Sequence, residues 1–258
     1  MGERNKVTQA IILNVKKSGE NNQTVTALTN DSGIQYFTFY GGPKNHLRSY
    51  IQTLNYGTLY FYEDNIKHFK KISDFDVKKS HLTIRNDLYK MCAATFTCEV
   101  ILKTHCAGEY KNAFTLLCSF LTGLESSAEK ECKIALIRFL WRYLILLGTE
   151  PNTFNCLHCE NKTEALSEPF YFISSQNAFV CSDCIKNLAE KSNSKFLYTL
   201  SKESLMYLSS ISSLSPSQVR AIKISSGAYN ELKQFLFYVI ENNCEGKLVS
   251  LESGETIL

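Results

Sequence analysis

The sequence predicts an α+β protein in which a small β-barrel precedes a mainly helical region. Three observations predict this class. The first eighty residues alternate β-branched and aromatic segments with turns, and from Leu82 onward apolar residues recur at helical spacing. Two C-x2-C pairs interrupt the helical part. With 258 residues, of which 44% are hydrophobic and 21% charged, the chain is long enough to bury a substantial core.

Five strands are predicted before residue 80, each rich in Ile, Val, Thr or aromatic residues. They are Thr8–Val15, Thr24–Thr29, Ile34–Tyr40, Thr58–Tyr62 and Ile66–Ile72. Gly33 suits the left-handed position of a hairpin loop between the second and third strands. Five strands with a long interruption before the fourth favour a closed barrel of the OB-fold type, the commonest small barrel that binds single-stranded nucleic acid.

The barrel region also carries the positive charge of the chain. Residues 1–80 contain 11 lysines and arginines against 7 aspartates and glutamates, a balance of +4, whereas the whole chain has a net charge of +3. Cations follow phosphates and exposed rings stack on bases, so this composition favours nucleic acid. The candidate DNA-binding residues are Phe39, Tyr40, Lys44, Arg48, Lys67, Lys70 and Lys71. The alternative is that the rings fill the barrel and the cations form a solvated face.

Helical periodicity begins near Leu82 and first stops near Gly108. Further helices are predicted at Ala113–Leu121, ending at Gly123, and at Ala128–Leu147, ending at Gly148. After the cysteine segment, Ser201 is predicted to cap a helix through Leu205–Leu208, Pro216 to open a short helix, Ala228–Asn242 to form the last one, and a polar tail to follow from Cys244.

The expected domains follow from these elements. They are a barrel at 1–80, a first helical part at 81–150, a cysteine-bearing insertion at 151–195 and a second helical part at 196–258.

The four cysteines of the insertion, Cys156, Cys159, Cys181 and Cys184, have the spacing of a zinc site, with twenty-one residues between the two pairs. A hairpin is predicted between the pairs, from Glu168 to Val180 with its turn at residues 174–177, which makes the segment a zinc ribbon. Four thiolates fill the coordination sphere of Zn²⁺, so the predicted metal is structural and not catalytic.

Other interpretations of the cysteine pattern stay open. Two disulfides in a secreted protein, or one redox-active C-x2-C, would also use such pairs. His158 lies between the first two cysteines and would be able to replace one thiolate. An enzyme, either a thiol-disulfide oxidoreductase or a zinc hydrolase, is disfavoured by the symmetric pairing and by the absence of an H-E-x-x-H sequence.

The remaining six of the ten cysteines fall in apolar stretches and are expected to belong to the core. Without a signal sequence at residue 1, we expect a reducing compartment, the cytoplasm. The longest apolar run, Leu140–Leu147, is interrupted by Arg142 and is too short to span a bilayer.

Four stretches resemble the RecO family of bacterial DNA repair and recombination mediators, and together they extend over the whole chain. They are Ala10-Ile11-Ile12-Leu13; Tyr40-Gly41-Gly42-Pro43-Lys44 through Arg48 with Ile51-Gln52-Thr53-Leu54; Phe139-Leu140-Trp141-Arg142-Tyr143-Leu144 through Gly148, Pro151 and the Cys156/Cys159 pair; and Lys247-Leu248-Val249-Ser250-Leu251. Two departures concern Gln176-Asn177, where the family often has Gly-Gly, and Thr53-Leu54, where it has a proline.

The resemblance implies a non-enzymatic protein of the bacterial cytoplasm and nucleoid. It implies binding of single- and double-stranded DNA, annealing of complementary strands, association with RecR, contact with the C-terminal tail of the single-strand-binding protein, and indirect help in loading RecA. An acidic tail needs a basic rim beside an apolar slot, for which Arg142 and Arg138 are the candidates. The alternative function is a zinc-ribbon adaptor that binds only proteins.

Overall fold

The structure is a computed structural model that describes residues 5–42, 45–64, 66, 68–189, 198–244, 246–254 and 256–258, with the backbone alone at 187–189. The chain divides into two compact units, Met1–Leu136 with Cys244–Leu258, and Ile137–Asn243. The four segments expected from the sequence divide the chain at other places and remain a prediction.

The described strands are β1 (Asn5–Ser18), β2 (Asn22–Thr29), β3 (Gly33–Tyr40), β4 (Tyr56–Asp64), β5 (Phe69–Lys79), β6 (Phe170–Ile173), β7 (Ala178–Cys181) and β8 (Tyr198–Leu200). The described α-helices are α1 (Leu47–Tyr50), α2 (Leu82–Arg85), α3 (Leu88–Thr104), α4 (Tyr110–Ser126), α5 (Glu129–Leu147), α6 (Ser182–Ala189), α7 (Lys202–Ser213), α8 (Pro216–Ala221), α9 (Ser226–Asn243) and α10 (Val249–Gly254). Among the described residues, no helix combines the length and the apolar character that a bilayer crossing requires.

The first five strands close into a barrel in the order β1-β2-β3-β5-β4, which confirms the predicted α+β class with its N-terminal barrel. Neighbouring strands are antiparallel except β3 and β5, which run parallel and share one register pair, Thr38 with Lys71. Inward-facing apolar residues from all five strands, together with Leu47 and Ile51 at α1, form one buried cluster. The barrel therefore has a packed interior, and ligands meet its outside and its ends.

The fifth strand was predicted at Ile66–Ile72, and the structure places it at Phe69–Lys79. The register shifts between β4 and β5 at Tyr60 and Phe61, which leaves Ser73 as a bulge. The bulge turns Ile72 and Phe75 both inward although they are three residues apart. The two-residue period that marks a strand in the sequence is thereby broken, which is why the prediction stopped too early.

Gly57 fixes the distance between β4 and β5. It lies opposite Val77, and a Cβ added to it would stand 2.1 Å from the carbonyl oxygen of Asp76. No real side chain tolerates such a contact with backbone, so glycine is required for the two strands to approach.

The helices of the first unit follow the predictions with two corrections. Helix α4 continues past Gly123 to Ser126, because Gly123 does not take the positive φ of a glycine that ends a helix. The polar tail predicted from Cys244 contains α10. The Glu99 carboxylate on α3 accepts hydrogen bonds from the backbone N–H groups of Val249 (3.0 Å) and Ser250 (2.8 Å), and so caps α10.

The second unit packs helices around the small sheet β7-β6-β8. Ser201 caps α7 as predicted, since its side chain accepts the backbone N–H of Ser204. Ser215 and Gln218 form a capping box at α8, where Pro216 opens the helix as predicted. Strand β8 and helix α6 were not predicted from the sequence.

Candidate metal centre and nucleic-acid surface

The first cysteine pair lies in a tight turn between β-bridged residues Asn155 and Lys162. Within the turn, the backbone N–H of Glu160 donates to the carbonyl of Cys156 (3.0 Å), and Glu160 takes a left-handed conformation with φ +59°. The turn is attached to the ribbon through the backbone N–H of Leu157, which donates to the carbonyl of Phe179 (2.9 Å). Backbone hydrogen bonds therefore hold the turn that carries Cys156 and Cys159.

The second pair joins a strand to a helix. Cys181 ends β7, and Cys184 lies in the first turn of α6. The predicted hairpin leads to this pair, with β6 and β7 in antiparallel register and Asn177 at φ +47° in the turn. Asparagine tolerates the left-handed region, so the turn does not need a glycine at this position.

The four cysteine sulfurs all lie within 4.8 Å of one another, and they form the metal-binding group found in the described part of the chain. A tetrahedron of sulfurs about 2.3 Å from an ion has edges of about 3.8 Å, so the cluster fits a four-thiolate metal site. His158 is exposed and lies outside this group, so the residues positioned to hold a metal are the four cysteines.

The thiols of this cluster differ in their readiness to ionise. Burial raises the pKa of the Cys156 thiol, but hydrogen bonds from three backbone N–H groups outweigh burial and lower it to about 7. The donors are Cys159, Cys181 and His158. Burial raises the pKa values of Cys181 and Cys184, and hydrogen bonds that the Cys184 thiol donates to neighbouring cysteine sulfurs raise the pKa of Cys184 further. A dication at the centre would stabilise all four thiolates.

A second candidate site lies at the mouth of the barrel. Tyr40, Phe69 and Lys71 border a cavity of about 680 Å³ whose other lining residues are Asn5, Phe39, Asn45, Leu47, Tyr62, Ile72 and Ser73. The ring of Tyr40 is 46% exposed and stands 5.9 Å from that of Phe69, centroid to centroid. The Lys71 Nζ lies 5.6 Å from the Tyr40 centroid. An aromatic surface and a cation thus face one opening.

The other predicted DNA-binding residues occupy different positions. Arg48 Nη1 donates to the carbonyl of Gly41 (3.4 Å) beside the cavity, whereas Lys70 lies 3.3 Å from the Glu63 carboxylate in an ion pair. Lys44 and Lys67 lie outside the described residues. The expectation that Phe39 stacks on a base is wrong for this conformation, because the ring is 1% exposed and belongs to the barrel core.

Sequence reasoning did not single out Phe69 and Tyr62, although both line the cavity. Their signal was present in the density of aromatic residues, but choosing among these residues requires the register. In β3, Phe37 and Phe39 face the core while Tyr36 and Tyr40 face outward, and the sequence alone does not reveal which set is buried.

The third candidate site is a group of arginines in the second unit. The Nη2 atom of Arg142 is buried and has no hydrogen-bond partner among the described residues. Burial lowers the pKa of its guanidinium, the positive charge of Arg138 lowers it further, Tyr207 opposes this, and Arg220 again lowers it. Arg138 itself is 6% exposed, so its charge acts from beneath the surface. Arg220, which is exposed, was not selected from the sequence.

Fold and sites together define a modular protein in which a closed five-stranded barrel precedes a helical region that carries four cysteines positioned to bind a metal ion. Comparison with models of known protein families identifies the family. Residues 3–81 match the family model for the N-terminal domain of recombination protein O, and residues 85–252 match the model for its C-terminal domain. The chain therefore belongs to the RecO family of DNA repair proteins.

Two curated relatives agree with this assignment. The DNA repair protein RecO of Thermodesulfovibrio yellowstonii is 28% identical over 239 residues, which cover 89% of each chain. The RecO of Bacillus pumilus is 26% identical over 180 residues, covering 69% of this chain and 67% of the relative.

Proposed function

We propose that this protein is a non-enzymatic recombination mediator that binds single- and double-stranded DNA through its barrel and anneals complementary strands. In this role it associates with RecR and helps load RecA onto DNA covered by the single-strand-binding protein, on the bacterial chromosome in the cytoplasm. Membership of the RecO family supports the role. The observation that carries the DNA-binding part is the barrel mouth, where the exposed ring of Tyr40 and the ammonium of Lys71 border one cavity.

The chemistry of the barrel mouth suits a flexible strand better than a rigid duplex. A base that stacks on Tyr40 or Phe69 contributes about 1 to 3 kcal/mol, and stacking is available to any base because every base has a π-face. Lys71 and Arg48 are then placed to neutralise the phosphates on either side of the stacked base. Neutralised strands repel each other less and keep their pairing edges free, which is the physical basis proposed for annealing.

Replacing Arg48 and Lys71 by alanine is expected to weaken binding of a labelled oligothymidylate. Each lost phosphate contact on a single strand reduces the slope of log affinity against log salt by about 0.7, so the double variant should lose about 1.4 from that slope. Fluorescence anisotropy at several salt concentrations measures both quantities. Tyr40→Ala should instead weaken binding by about 1 to 3 kcal/mol with an unchanged slope.

The matched control for the double variant removes two other exposed cations, Lys111 on α4 and Lys130 on α5. It changes the net charge equally and should alter the slope little. An Arg48/Lys71 variant with the slope of the wild type would show that DNA follows another path. The adaptor alternative predicts no binding to any oligonucleotide even at low salt, and that result would end the DNA-binding proposal.

The four-cysteine centre is proposed to hold Zn²⁺ in a structural role. Four thiolates in a tetrahedron leave no open position for water or substrate, and zinc is the common ion for such sites. When bound, the ion supplies no reaction; it joins the turn of Cys156 to the start of α6 at Cys184. The protein's own contribution is the set of backbone N–H groups that stabilise the Cys156 thiolate.

The arginine group is proposed to receive the acidic C-terminal tail of the single-strand-binding protein. A buried guanidinium nitrogen without a partner is costly, and Arg138 and Arg220 add like charge to Arg142. A carboxylate bound there would relieve both penalties at once. The role of Arg220 would be to extend the basic rim towards solvent.

Arg142→Ala is expected to weaken binding of a synthetic aspartate-rich peptide ending in phenylalanine by about tenfold or more, since a hydrogen bond to a charged group is worth about 1.5 to 3 kcal/mol. Isothermal titration calorimetry measures the affinity. Lys223→Ala removes an exposed cation after α8 and serves as the control. Peptide binding that survives Arg142→Ala while the fold is intact would place the tail elsewhere.

A further inference from the structure

The outer face of the barrel carries a groove lined by carboxylates, whereas the mouth of the barrel is bordered by the cation of Lys71. Its volume is about 490 Å³, and its lining residues are Tyr50, Tyr60, Asp74, Phe75, Asp76 and Val77. Phe75 and Val77 belong to the barrel interior, so the surface of the groove consists of two tyrosines and two carboxylates. Tyr50 is 48% exposed and Tyr60 39% exposed, so both rings are open to a ligand in the groove.

The carboxylates of this groove are not neutralised. Neither Asp74 nor Asp76 forms an ion pair with any residue in the described part of the chain. Lys78, which follows on the same strand, donates to the Oε1 of Gln9 (3.0 Å) instead. Asp74 accepts the backbone N–H of Phe75 (2.8 Å), which leaves its second oxygen available. Two adjacent negative charges repel phosphate, so this groove is not part of a DNA path.

Hydrogen bonds from side chains fix the backbone that carries the groove. The side chain of Asn55, which is buried, donates to the carbonyl of Tyr50 (2.7 Å), and Arg85 donates to the Oδ1 of Asn55 (2.9 Å) and to the carbonyl of Thr53 (2.6 Å). On the other side, the close approach at Gly57 fixes the backbone of Asp76. Exposed aromatic rings on a fixed backbone lose little conformational entropy on binding, which is typical of a preformed interface.

We propose that this groove binds an extended, arginine-bearing segment of a partner protein. A guanidinium stacks on a tyrosine ring and forms ion pairs with a carboxylate, so it complements both groups that the groove presents. Asp74 and Asp76 both point outward from one strand and are therefore about 6.6 Å apart along it. That is the spacing of alternate side chains in an extended peptide, so two arginines separated by one residue match the two carboxylates.

The test uses a capped hexapeptide of alternating arginine and serine, titrated into the full-length protein and followed by calorimetry. Replacing Asp74 and Asp76 together by asparagine should weaken binding about tenfold, and Tyr60→Ala about threefold. Asparagine is chosen because its side-chain oxygen still accepts the N–H of Phe75. A hexapeptide of alternating glutamate and serine should not bind.

The control variant replaces Glu20 and Glu150, both exposed and outside the groove, by glutamine. It changes the net charge by the same two units, and it should keep the affinity within twofold of the wild type. If both double variants weaken binding equally, the peptide is attracted by net charge alone and the groove is not a site. Self-association of the wild type that disappears in the Asp74/Asp76 variant would identify a second copy of this chain as the occupant and overturn the proposal.

Discussion

Cys181→Ser is expected to abolish metal binding and to destabilise the second unit by several kcal/mol. A serine hydroxyl stays protonated near neutral pH and does not replace a thiolate, so three ligands remain and the ion is released. Where a metal site holds two segments together, the free energy of metal binding contributes to the free energy of folding. The two segments here are the Cys156 turn and the start of α6. Elemental analysis of purified protein and thermal unfolding followed by circular dichroism measure the two effects.

Cys118→Ser is the matched control for this experiment, because Cys118 is a partly buried cysteine on α4 that lies outside the metal group. It should retain one equivalent of metal. The barrel strands lie in the other unit. At a temperature where the Cys181 variant is still folded, its affinity for DNA should therefore stay close to that of the wild type. A Cys181 variant with full metal content and an unchanged melting temperature would contradict the four-thiolate assignment.

Gly57→Ala is expected to destabilise the barrel by about 3 kcal/mol, the upper end of the range for overpacking. The added methyl would stand 2.1 Å from the Asp76 carbonyl oxygen and 2.9 Å from its carbon. Both atoms are backbone, so β4 or β5 must move and their hydrogen bonds must lengthen. Urea unfolding monitored by tyrosine fluorescence and circular dichroism measures the change in free energy.

Gly123→Ala is expected to stabilise the protein, whereas Gly57→Ala destabilises it. Gly123 lies within α4, and an added Cβ would meet no atom within 4 Å, so alanine gains about 1 kcal/mol of helix propensity without a clash. A Gly57 variant as stable as the wild type would show that the two strands are not held as closely as the structure has them.

The order of the structural parts along the chain could be predicted from the sequence alone. Aromatic and β-branched segments, helical spacing and two C-x2-C pairs predicted the barrel, the helical region and the cysteine cluster. Helix ends were predictable where a cap was visible, as at Ser201, and were wrong where glycine was read as a stop, as at Gly123. Strand β5 was misplaced because the bulge at Ser73 is a property of its pairing with β4, and pairing is not a local signal.

The candidate sites also differ in how far the sequence alone predicts them. The metal group was predictable because ligand spacing along the chain determines its chemistry. The barrel mouth was predictable only in part, since the exposure of Tyr40 and the burial of Phe39 depend on which face of β3 is turned inward. The acidic groove gave no sequence signal at all, because Tyr50 and Asp76 are brought together by closure of the barrel.

The contact between Glu99 and α10 means that the first unit is made from residues synthesised at very different times. Ser250 follows Glu99 by 151 residues, and the whole second unit is translated between them. At about 5 to 20 residues per second, Glu99 on α3 is synthesised about 8 to 30 seconds before Ser250 on the helix that it caps. During that interval the α3 surface that will receive α10 has no partner helix, so the first unit completes its fold only after the whole second unit has been synthesised.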